Sequence, residues 1–166
     1  MTIADQAKAI RDPLSKWASD QGGKAFIAAD LHHLWNMANV SSKNPRVIIV
    51  FNGEDPRGDS TMSAILRRVD RNWIALVTRG NISLAQRGDS LTQDDSATAF
   101  LTLIGQARDI IRSIVGASVE LPVDYKGIRP YQIGDVLMDA YQIDFSMADD
   151  LSEIVEAPDN PVAIPA

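Results

Sequence analysis

Residues 46–79 read RVIIVFNGEDPRGDSTMSAILRRVDRNWIALVTR, and the fold follows from how this stretch is parsed. Residues 47–51 (VIIVF) and 73–77 (WIALV) are short apolar runs, and Ile65-Leu66 lies between them. β-Branched and aromatic side chains pack well on a pleated surface, so runs bounded by Asn52-Gly53, Asp55-Pro56-Arg57-Gly58 and Arg79-Gly80 read as strands of one sheet. Both parities are apolar in each run, so both faces of these strands are expected to be covered, with a helix on at least one side. That helix is expected over residues 97–115, where Phe100, Leu103, Ile104, Ala107, Ile110, Ile111 and Ile114 recur at helical spacing. Asp94, Asp95 and Ser96 offer its N-cap and Gly116 its stop. Between the two runs, residues 52–61 read as an exposed polar excursion. Asp70-Arg71-Asn72 reads as a tight hairpin turn between 62–69 and 73–79, with one long bent strand as the alternative.

Outward from this centre, Ile3, Ala7, Ile10, Leu14 and Trp17 form one stripe of an N-terminal helix that Gly22-Gly23 ends. Pro13 interrupts it, predicting either a kink at Arg11-Asp12 or a second short helix capped by Asp12. Residues 25–28 read as a short strand or turn, followed by a helix over 31–37 and a loop at 41–45. Residues 80–95 have no sustained period and read as a loop long enough to be functional or to pack on a partner. Residues 118–123 are expected to pair briefly at an edge, and 124–134, with Gly127 and Pro130, to form a loop. Residues 138–147 alternate cleanly, which predicts a half-exposed strand closing the sheet. The chain thus divides into a domain over 1–147 and an acidic, proline-containing arm over 148–166, whose composition needs something else to hold it.

The 166 residues, 45% apolar and 23% charged, suit one domain with a real core. No apolar run approaches the roughly 20 residues that span a bilayer, and residues 1–16 lack the apolar core of a signal peptide, so a cytoplasmic product is expected. With no cysteine, disulfides, thiol nucleophiles and zinc-cysteine centres are excluded. Net charge is −6, unevenly spread. The basic residues of 46–87 are all arginine, whereas from 118 onward only Lys126 and Arg129 oppose a run of Asp and Glu. Such asymmetry suits copies that dock on one another, although solvated faces of a monomer produce the same pattern.

Signatures of catalysis are sparse. His32 and His33 are adjacent, so on a helix their side chains diverge; Asp30 with His33 could pair at i,i+3, but no further ligands cluster with them. No G-x-S-x-G, P-loop, G-x-G-x-x-G or H-E-x-x-H occurs. Asp124-Tyr125-Lys126, after Glu120, matches the acidic-x-Lys triplet of magnesium-dependent nucleases and would need a further carboxylate such as Glu54 or Asp59. Arg67, Arg68, Arg71 and Arg79 near Trp73 could contact a nucleic-acid backbone with some stacking, but a pI near 4.8 argues against an autonomous DNA binder.

The order of elements, carried by PRVIIVF (45–51), RRVDRNWIALVTRG (67–80), the helix 100–115 and MDAYQIDF (138–145), resembles the tail terminator (tail completion) proteins of long-tailed bacteriophages. The resemblance implies an α/β (α+β) domain with a single mixed or antiparallel sheet packed by an N-terminal helix and one long amphipathic helix. It implies a hexameric ring that caps the tail tube, ends its polymerisation and meets the head-tail connector, in the virion neck and, during assembly, in the host cytoplasm. Another neck protein, or a magnesium-dependent nuclease, is the alternative. No catalytic residue, cofactor or metal is implied; the partners are further copies, tail tube protein and connector, with non-specific contact to genomic DNA in the lumen left open as a further one. Arg57, Arg67, Arg68, Arg87, Asp89, Asp149 and Asp150 are the candidate oligomer-interface residues.

Overall fold

The computed structural model describes residues 2–29, 45–57, 68–80, 90–114, 123–131 and 139–150. Helix α1 (Ile3–Asp20) opens on a capping box: Thr2 Oγ1 accepts the Asp5 N–H at 3.0 Å, and the Thr2 N–H donates to Asp5 Oδ2 at 3.3 Å. It closes where Gly22, at φ 74°, lets the Gly22 N–H reach Ser19 O and the Gly23 N–H reach Ala18 O. Of the two outcomes predicted at Pro13, the second short helix does not form, since α1 runs through Pro13 as one element. Ile10 and Leu14, on either side of Pro13, have no exposed surface, and burying two such side chains offsets the roughly 3 kcal/mol that an interior proline costs.

Strand β1 (Lys24–Ala28) pairs parallel with β2 (Arg46–Arg57), in register Phe26 to Ile48. The helix expected over 31–37 lies outside the described residues. Strand β3 (Arg68–Gly80) runs antiparallel to β2 and passes straight through Asp70-Arg71-Asn72. The hairpin turn read there is therefore wrong, and the single long strand forms instead. Its cause is tertiary: Arg71 lies between Glu54 and Met147, and Asp70 between Asp55 and Ala148, so a triplet that looks like a turn has strand partners on both sides. Part of the polar excursion is likewise strand, since β2 continues to Arg57.

Helix α2 (Ser90–Arg112) starts ahead of the expected cap, which puts Asp94, Asp95 and Ser96 within the helix; Gly116 lies outside the described residues. Strand β4 (Asp124–Pro130) occupies what reads as a loop. Its glycine sits at a bulge and its proline at the last position of an edge strand, two places where sheets tolerate these residues. Of the edge pairing expected over 118–123, residues 118–122 fall outside the described residues and Val123 precedes β4 without joining a strand. Strand β5 (Asp139–Asp150) runs beyond Met147, so the boundary drawn between 147 and 148 cuts a strand.

Among the described residues the sheet has five strands in the order β1-β2-β3-β5-β4, with only the β1–β2 pair parallel. The fold is α+β. Strand β5 does not close the sheet, because β4 lies outside it. Ala7, Ile10 and Leu14 of α1 and Phe100, Ile104, Ala107 and Ile111 of α2 pack with Val47, Ile49, Trp73, Ala75, Val77, Ile143 and Phe145, so both helices cover the same face. The other parity, Ala28, Ile48, Val50, Leu76 and Ala140, forms a second buried cluster with Phe26, Ile74 and Tyr131. Both faces of the central strands are thus buried, as their composition predicts.

Candidate functional site

One group of polar residues of the sheet gathers on the face opposite the helices, and two bulges bring it together. Phe51 pairs with Trp73 and Glu54 with Arg71, so Asn52 and Gly53 together oppose Asn72 alone. On β4, Tyr125 pairs with Phe145 and Gly127 with Asp144, so Lys126 is the extra residue. Successive side chains of a regular strand point to opposite faces, which would put Asn52 and Asp55, or Lys126 and Arg129, on different sides. One inserted residue reverses that parity. Gly53 (φ 97°) and Gly127 (φ 127°) carry the backbone through the bulges, and a Cβ at either would meet nothing within 4 Å. Glycine is thus required for its torsion angle, not for space.

The outcome is an open cleft of about 280 Å³ lined by Asn52, Asp55, Asn72, Trp73, Lys126, Arg129, Asp144 and Phe145. Asn72 is its hub: its Nδ2 donates to Asp55 Oδ2 at 2.7 Å, and its Oδ1 accepts from Lys126 Nζ at 3.1 Å. Asp144 takes Arg129 Nε at 2.8 Å, Arg129 Nη2 at 2.6 Å and the Gln142 amide at 3.0 Å. A carboxylate so saturated offers little further acceptor capacity. The cleft therefore has an acidic wall on β2, at Asp55, and a basic wall on β4, at Lys126 and Arg129. A neutral amide separates them.

Behind this cleft, on the helix side, Arg71 Nη1 donates to Asp149 Oδ2 at 2.8 Å, with the two side chains 3% and 2% exposed. Trp73 is also buried, and its Nε1–H donates to Gln6 Oε1 at 2.8 Å. Trp73 and Arg71 therefore offer no stacking surface to nucleic acid, because both belong to the core. Arg79 lies over the Phe100 ring at 4.6 Å. Gln6 escapes sequence reading altogether: a glutamine in an amphipathic helix gives no sign that an indole 67 positions away needs its oxygen.

Of the candidate interface residues, Asp149 is buried within its own chain and unavailable to a neighbour. Residues 57, 68 and 150 are brought together, since Arg57 pairs with Arg68 and Arg68 with Asp150 on one rung at the end of the sheet. Arg67, Arg87 and Asp89 lie outside the described residues, as do His32, His33, Asp59 and Glu120. The Asp124–Lys126 pair stands on a strand, not in the loop expected, but only Lys126 lines the cleft. Among the described residues no group of three His, Cys, Asp or Glu side chains is placed to hold a metal ion. Compared with known proteins, the chain matches no protein-family model and no curated protein.

Proposed function

We propose that this chain is a virion structural protein of the tail-terminator type, a subunit whose ring caps a phage tail tube, ends its polymerisation and joins the tail to the head connector. The observation that carries the reading is the rung formed by residues 57, 68 and 150. Strands β2, β3 and β5 extend together past the bulges and end on two arginines beside an aspartate. A sheet end that sets basic and acidic residues on neighbouring strands gives a partner both attraction and register. The α+β architecture, with a mixed sheet and an N-terminal and a long helix on one face, is the one the resemblance implies. Another neck protein built on the same plan would use this surface in the same way.

Light scattering coupled to size exclusion, followed by electron microscopy with and without tail tube protein, tests the reading. A ring is expected, alone or once tube protein is added, and charge reversal at Arg57 together with Arg68 should weaken it. A solitary chain inert to tube protein ends the proposal.

A further inference from the structure

The cleft between the two bulges and the outer surface of α2 lie on opposite sides of the sheet, and their charge patterns match. In the cleft, Asp144 is saturated by Arg129 and Gln142, whereas among the described residues the Lys126 ammonium and the Asp55 carboxylate are each held only by the Asn72 amide. An ammonium has three donors and a carboxylate two oxygens, so both retain capacity. The matching occupant presents a carboxylate to β4 and a guanidinium or ammonium to β2. On α2, Arg108 Nε and Asp109 Oδ1 form such an adjacent pair at 2.9 Å, with side chains 37% and 62% exposed. Leu101, Gly105 and Asp109 follow one another at intervals of four along the helix, so they share a line of its surface. Leu101 is 55% exposed, more than any other large apolar side chain among the described residues.

We infer that the cleft receives the Arg108–Asp109 pair of a second copy of this chain, with Asp109 facing Lys126 and Arg129, and Arg108 facing Asp55. Socket and knob occupy opposite faces of one protomer, so the contact is head-to-tail and repeats from copy to copy, as a ring requires. The glycine bulges are what build the socket, since without their reversal of parity neither wall would carry its second residue. This inference rests on the assembly reading above and assigns it a specific contact.

The test uses the full chain and four charge reversals at exposed positions: Lys126→Glu, Asp55→Lys, Asp109→Lys and Asp12→Lys. The last addresses the equivalent pair on α1, Arg11–Asp12 at 3.0 Å. Circular dichroism and thermal melting establish that each variant is folded. Sedimentation velocity then reads self-association, with tube protein present if wild type needs it. Lys126→Glu, Asp55→Lys and Asp109→Lys should each weaken association tenfold or more, and Asp12→Lys should not. A mixture of Lys126→Glu with Asp109→Lys should associate where neither does alone, because each supplies the complement the other lacks. Rescue by Asp12→Lys instead would overturn the assignment to α2. Rings that form undiminished from all four variants would overturn the contact while leaving the ring reading intact, whereas wild type that never associates removes both.

Discussion

Arg71 and Asp149 show how far a single pair can depart from what its neighbourhood in sequence implies. Arg71 sits in a polar triplet resembling a turn, and Asp149 at the start of an acidic tail, yet they meet at 2.8 Å in the core. Withdrawing two charges from water is costly, and their attraction repays it only while both are present. Asp149→Asn should therefore lower unfolding free energy by about 3–5 kcal/mol in urea titration, while the double replacement Arg71→Met with Asp149→Leu should lose much less. If the double variant loses as much as the single, the pair's contribution lies elsewhere than in mutual charge compensation. Nothing in the sequence identifies these partners, since a buried ion pair requires a desolvated site that many distant residues build jointly.

At the level of elements, sequence was most informative where one local force dominates. The stripe of α1, the two buried strands and the alternation of β5 are each readable because apolar spacing alone sets them. Several departures concern polar or breaker residues whose state is decided by neighbours: Asp70-Arg71-Asn72 inside β3, and Gly127 and Pro130 inside β4. The N-terminal cap of α1 gives a pH prediction. The hydrogen bonds from the Thr2 hydroxyl and backbone N–H hold the Asp5 carboxyl below its ordinary value. A lowered folded-state pKa means the cap's contribution is complete above the ordinary carboxylate value and is lost as pH falls through the lowered one. Measured against its intrinsic rate at each pH, exchange of the Asp5 and Gln6 amides, both held by Thr2, should quicken in that acid range in wild type, and Asp5→Asn should flatten the profile. Fraying that ignores pH in both proteins would show that the box does not hold this helix end.

For the whole molecule, the consequence is that β5 crosses the boundary that composition draws. Composition ends the domain at residue 147, but β5 continues to Asp150 and its last residues pair with Val69 and Arg68. A chain ending at 147 should be less stable than one ending at 150 by about 3–5 kcal/mol, because it loses the buried partner of Arg71. Equal denaturation midpoints for the two truncations would contradict this. If the chain assembles through the terminal rung as proposed, the shortfall should appear in assembly too, since residue 150 is part of that rung. By itself, the sequence determined the α+β class, the helical stripes and the runs at the centre of the sheet, because these depend on burying apolar side chains at a fixed spacing. Only the tertiary structure decided which polar residues meet: two bulges reverse the parity of their strands, so Asp55, Asn72, Lys126 and Asp144, remote in the chain, share one face. Parity is set by how strands pair, and pairing is a property of the assembled sheet rather than of any one segment.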